Sequence, residues 1–177
     1  MRVWPDMACP PLNNPLSTNV STRAKLLELA AEFAGKVCGL EGVERIALVG
    51  SLCTTKEDPK DIDVLLSLKP ALNLSTLARI SRNLKGRTQQ MNKGADIFLV
   101  EAGQYIGRVC GYRQCFRRVL CRALHCGIRD HLNDDLSVLR LNPDLVINPP
   151  LEVWPKWRAH PSIPQDTREA FQRWIAH

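Results

Sequence analysis

Three aspartates and a glycine–serine pair carry the strongest chemical signal in this chain. Asp61 and Asp63 bracket Ile62 at the head of an apolar run ending at Leu66, and Asp96 opens another, Ile97-Phe98-Leu99-Val100. The period of two along an extended strand puts Asp61 and Asp63 on one face. Like charges held side by side force one pKa upward unless a cation or a proton offsets them, so acids adjacent in a strand point to a divalent metal. Gly50-Ser51 closes a further run, Ile46-Ala47-Leu48-Val49, and nine residues separate it from Asp61. Glycine lets the backbone turn tightly and approach a ligand, while Ser51 offers a hydroxyl and an amide to phosphate. Oxygen ligands for hard cations beside such a turn are the materials of two-metal phosphoryl transfer. Each piece alone is ordinary: Gly-Ser is a turn, and Asp-x-Asp is a solvated strand end. The order, with every acid touching a strand-like run, gives the set its meaning.

Gly50-Ser51-x9-Asp61-x-Asp63, followed by Asp96 in a later strand, resembles the DNA polymerase beta-like nucleotidyltransferase superfamily, and its minimal nucleotidyltransferase members in particular, over about residues 43 to 100. There a hydrophobic strand ends in Gly-Ser or Gly-Gly, a short helix follows, the next strand carries Asp-x-Asp or Asp-x-Glu, and a third acid lies on a neighbouring strand. The resemblance implies that Asp61 and Asp63 bind two magnesium ions carrying a nucleoside triphosphate such as ATP. Asp96 would share one metal and help activate an acceptor hydroxyl, and Gly50 and Ser51 would cradle the triphosphate. Where small members carry arginine or serine just before the first acid, this chain has Pro59-Lys60. Lys56 and Lys60 could reach the β- and γ-phosphates, or simply belong to a charged loop balanced by Glu57 and Asp58.

The elements that must position these residues are legible. At 177 residues, nearly half of them apolar, the chain is long enough for one domain with a sizeable core. No apolar stretch approaches the roughly 20 residues of a membrane span, and Pro5, Pro10, Pro11 and Pro15 interrupt the start of the chain. A cytoplasmic protein with no membrane partner is expected. Seven cysteines then argue for reduced thiols or a metal site rather than a disulfide framework.

Residues 1–20 read as an extended arm, 21–104 as the nucleotidyltransferase-like core, and 105–177 as a Cys/Arg-rich C-terminal extension. The expected fold is α/β (α+β), a small mixed β-sheet with helices on one face and the three acids on the other. Ser21 or Thr22 caps a helix carrying Leu26, Ala30, Phe33 and Val37, with Gly35 and Gly39 marking its end. Ser75 caps a second, with stripe Leu77, Ile80 and Leu84 and Gly86 as terminator. Asp166 and Glu169 are spaced as the capping box of a last helix docked by Phe171, Trp174 and Ile175.

Residues 105–132 hold a second chemical signal. Cys110, Cys115, Cys121 and Cys126 could close a tetrahedral zinc site, with His125 able to replace one of them. The alternative is a helix whose Tyr112, Phe116, Val119 and Ala123 face the core. Arg108, Arg113, Arg117, Arg118, Arg122 and Arg129 stand against Asp130 alone, an excess of five positive charges beside a chain total of +6. With Tyr105, Tyr112 and Phe116 interleaved, they fit a nucleic-acid acceptor, a clamp on the triphosphate, or a solvated basic face. The sequence, with the resemblance above, predicts a magnesium-dependent nucleotidyltransferase whose acceptor it leaves open, RNA and a partner protein being candidates. One alternative is a minimal nucleotidyltransferase of a toxin–antitoxin pair that modifies a partner protein. The competing expectation is a nucleic-acid-binding or regulatory protein on an inactive scaffold of the same kind.

Overall fold

The computed structural model describes residues 21–113 and 121–175. The arm at 1–20, together with Cys115, Phe116, Arg117, Arg118 and Val119, lies outside the described residues. Ser21 caps helix α1 (Thr22–Val37), its hydroxyl accepting from the Ala24 amide at 3.2 Å. Strand β1 (Val43–Val49) follows and runs into a 3-10 turn, Gly50–Cys53. Strand β2 (Asp61–Leu68), helix α2 (Ser75–Gln89), strand β3 (Gly94–Glu101) and strand β4 (Gln104–Val109) complete the first half. Beyond them lie β5 (Leu132–Asn133), a one-turn helix α3 (Pro143–Ile147), β6 (Leu151–Trp154), β7 (Arg158–Ala159) and helix α4 (Gln165–Ile175).

The seven strands form one mixed sheet in the order β5-β4-β3-β2-β1-β6-β7. Only β2 and β3 are parallel, the geometry for which α2 supplies the crossover. Side-chain alternation gives the sheet two apolar faces. Ile46, Leu48, Ile62, Val64, Leu66, Ile97 and Leu99 face α1, α2 and α4 through Leu26, Phe33, Leu77, Leu84 and Phe171, all buried in one cluster. Ala47, Val49, Leu65, Phe98 and Val100 point the other way, where Val146 of α3 and the chain at Leu139 and Leu141 cover them. Arg45 ties this cover to β1 by donating to the carbonyls of Val146 and Ile147.

Three local expectations are corrected. Helix α2 runs through Gly86, because that residue is solvent-facing while Leu84 and Thr88 on either side of it are buried and hold the last turn down. The helix ends at Gln89, and beyond it the φ of 55° at Asn92 lets the Lys93 amide return to the Thr88 carbonyl at 3.0 Å. Ser75 does not cap α2 either; its amide is taken by Asn73 Oδ1 at 2.9 Å. Asp166 lies inside the first turn of α4, so no capping box forms, and its carboxylate is drawn to Arg23 of α1 instead.

Candidate active site

Asp61 and Asp63 open β2, and Asp96 is the third residue of β3. In the parallel register Asp63 is paired with Asp96 and Asp61 with Gly94. All three carboxylates therefore rise from the face opposite α1, α2 and α4. The structure thus puts the acids that the sequence singled out on one face of two adjacent strands, with Asp63 beside Asp96. Asp61 is exposed and the other two are half-buried.

The glycines explain how so much charge fits. Gly50 has a φ of +71°, a left-handed conformation that side chains avoid, and a Cβ there would lie 2.8 Å from Asp63 Cγ. A Cβ on Gly94 would lie 3.2 Å from Asp61 Cγ. Each of the first two acids thus leans over a glycine in a neighbouring segment. Burial, with the Asp96 and Asp61 charges behind it, pushes the Asp63 carboxyl up to about 6. Burial is the larger cause, and like charges without enough counter-charge add to it. An all-oxygen donor set with that electrostatic deficit suits a hard divalent cation. Among the described residues, no three His, Cys, Asp or Glu side chains are gathered around one point as a ready metal site.

A buried staple holds the Gly50–Cys53 turn. Arg23 of α1 donates to the carbonyls of Leu52 at 3.2 Å and Lys56 at 2.9 Å, and to Thr167 Oγ1 at 2.9 Å. Thr167 Oγ1 in turn donates to the Leu52 carbonyl at 2.8 Å, and Asp166 closes an ion pair on Arg23 at 2.6 Å. Below the turn, Cys53 donates its thiol to the Leu48 carbonyl at 3.2 Å, and burial pushes that thiol up to about 12. Ser51 is half-buried on the turn, while Lys56 and Lys60 are exposed. Both lysines lie close enough to Asp58 to help hold its carboxyl below the usual range, though the hydrogen bond from Lys93 at 2.5 Å does most of that. Lys93 is a cation of this loop that sequence reasoning missed.

Arg108 also reads differently in three dimensions. It is not part of an open basic surface: Nη1 donates to Asp96 Oδ1 at 3.0 Å and Nη2 donates to Asp135. Arg129 pairs with Glu101 at 2.6 Å and donates to the Leu72 carbonyl. Two of the six clustered arginines are thus matched by acids that lie outside 105–132 in sequence, while Arg113 and Arg122 are exposed. Tyr105, on the same strand as Arg108, has a buried hydroxyl without a hydrogen-bond partner, and burial pushes it up to about 12.

In the cysteine unit, Cys110, Cys121 and Cys126 are half-buried, and His125 is occupied by Asp134, its Nδ1 at 2.5 Å from Oδ2 and its amide at 2.9 Å. Cys115 falls outside the described residues, so the four-thiolate set is not described as a whole. The two described positions of the expected core-facing helix do not fit it, since Tyr112 is 63 % exposed and Ala123 is not helical. Cys53, Cys110 and Cys121 are free cysteines, as the expected lack of a disulfide framework requires, whereas Cys38 is disulfide-bonded. No helix among the described residues is long and apolar enough to cross a membrane.

A family model described as a family of unknown function (DUF6932) matches residues 10–127. The chain belongs to that family. Its span takes in Gly50, Ser51, Asp61, Asp63, Asp96 and Arg108, and it ends before Asp135 and the α4 residues that staple the turn. No curated protein and no solved structure matches the chain.

Proposed function

We propose that the chain is a metal-dependent nucleotidyltransferase, moving a nucleoside monophosphate from a nucleoside triphosphate to an acceptor hydroxyl with release of pyrophosphate. One observation carries this reading: Asp61, Asp63 and Asp96 rise from one face of two adjacent parallel strands, with Asp63 packed on the glycine that follows β1. The order of strand, Gly-Ser turn, Asp-x-Asp strand and third acid on the neighbouring strand is what the resemblance to polymerase beta-like nucleotidyltransferases requires.

Asp61 and Asp63 would hold magnesium, with Asp96 sharing it. When bound, the metal offsets the charge that develops on the attacking and leaving oxygens. The protein's own part is mainly positional. Gly50 and Ser51 present backbone and hydroxyl to the phosphates from a turn that Arg23 and Thr167 keep fixed, so little reorganisation is needed when the ligand arrives. Lys56, Lys60 and Lys93 surround the same loop and would meet the outer phosphates. Asp96, half-buried beside Asp63, is placed to orient the acceptor hydroxyl and take its proton. RNA or a partner protein is the acceptor in this reading, and zinc on Cys110, Cys115, Cys121 and Cys126 would be structural only.

A second reading has its own observation. The pairing of Asp96 with Arg108 would also suit a regulatory protein on an inactive scaffold. Incubation with magnesium, each labelled nucleoside triphosphate and total cell lysate separates the two. Transfer of label to a macromolecule, abolished by Asp61→Asn or Asp63→Asn, is expected. Absence of label with every nucleotide, or undiminished labelling by both variants, refutes nucleotidyl transfer.

A further inference from the structure

The acid face already has a cation of its own. Arg108 lies opposite Phe98 in the β3–β4 register, and Phe98 is two residues along from Asp96, so the arginine projects on the side that carries the acids. Asp135 stands two residues beyond Asn133, which pairs in register with Arg108, so the sheet itself sets the tether. The two carboxylates sharing this guanidinium are not equivalent. Asp135 is 7 % exposed, with one oxygen on Arg108 and the other buried without a partner. Its charge is strongly dependent on the arginine, because a buried carboxylate stripped of its counter-ion is costly. The Asp96 side chain is 34 % exposed and can exchange one cation for another at little cost.

We propose that Arg108 is a positioning residue that, anchored by Asp135, occupies Asp96 as a resident counter-ion and competes with a divalent cation for the acid face. Loading the site then means that the guanidinium releases Asp96 while keeping Asp135. The inference rests on the cation-binding role given above to Asp61, Asp63 and Asp96. It assigns the weak point of the site to one ion pair and predicts a gain, not a loss, when that pair is removed.

The test uses the full chain and manganese alone, with free metal followed by its paramagnetic resonance signal. Arg108→Gln should bind manganese roughly tenfold more tightly than wild type, the least expected from removing a positive charge a few ångströms from a divalent ion. Arg108→Lys keeps the charge and should stay near wild type. A merely structural arginine would instead weaken binding in both variants. Because Arg108→Gln strands Asp135, the double variant Arg108→Gln/Asp135→Asn is measured beside it, with circular dichroism to verify the fold, and the same tightening is expected. Equal or weaker binding in the glutamine variants overturns the proposal while leaving the acid face intact, provided that wild type binds and Asp63→Asn does not. If neither wild type nor any variant binds manganese, the metal role of the acid face falls, and this inference with it.

Discussion

Replacing Asp63 by asparagine should stabilise the metal-free protein while abolishing the nucleotidyl transfer proposed above. The carboxyl sits at about 6 in the folded chain against a reference of 3.8. The folded state therefore holds this proton more tightly than the unfolded chain does. Below about pH 4 both states are protonated and the group is neutral in its effect. As pH rises through the window from about 4 to 6, the unfolded chain ionises first, and stability drains away until the folded carboxyl has ionised too. At 1.36 kcal/mol per pKa unit, the penalty above pH 6 is about 3 kcal/mol. Asparagine has nearly the same volume and no charge, so it fits over Gly50 and removes that penalty. Urea denaturation in chelator should show the variant about 3 kcal/mol more stable at pH 7.5, with the gap closing toward pH 4, and its melting temperature should rise by roughly 6–12 °C at the higher pH. Adding magnesium should narrow the gap by stabilising wild type alone. A variant no more stable than wild type at pH 7.5, or a gap that does not change with pH, would show that burial and the neighbouring carboxylates do not raise the Asp63 carboxyl as their placement requires.

Other outcomes follow from the same geometry. Gly50→Ala forces a left-handed residue and pushes a Cβ onto Asp63, so urea unfolding should show a loss of about 1–3 kcal/mol and transfer activity should fall with it. Arg23→Met removes a guanidinium that serves two carbonyls, Thr167 and Asp166, and should cost about 3–5 kcal/mol by the same assay; a loss under about 1 kcal/mol would deny the staple. The Asp166 carboxyl is held below its usual range chiefly by its hydrogen bond to Arg23, so its contribution is present above about pH 4 and lost as pH falls through the folded value. Asp166→Asn should therefore lower stability at pH 7 but not at about pH 2, and by no more than about 1 kcal/mol, since half of that side chain meets solvent.

The parts that the sequence revealed are those whose signal is local. Alternation around Asp61, Asp63 and Asp96 was enough to set the acids on one face, and the apolar spacing of Leu26, Ala30, Phe33 and Val37 marked the buried side of α1. What stayed hidden depends on register between distant segments. Nothing near Arg108 in sequence says that it lies beside Asp96 and Asp135, so it read as one more member of a basic cluster. Nothing at the start of α1 singles out Arg23, because the carbonyls and the Asp166 that bury it come from a turn and a last helix far along the chain. Leu139, Leu141 and Val146, which cover the second face, have neither helical nor strand periodicity to advertise them. Gly86 was misread because a glycine on the exposed side of a helix costs too little to stop it when Leu84 and Thr88 are both docked.

The place of β6 in the sheet bears on how the chain is made. Strand β1 is interior, with β2 on one side and β6 on the other. As the polypeptide leaves the ribosome, β1, β2 and β3 can pair as soon as Glu101 has emerged, but the outer edge of β1 must wait for residues 151–154. That is a delay of about a hundred residues after Val49, or roughly 5–20 s of synthesis. Throughout it an apolar strand offers open hydrogen-bonding groups to any passing chain. The same holds for any fragment stopped at the end of the matched family span. The nascent protein therefore presents a sticky edge right beside its candidate active site, and β6 is the strand that closes it.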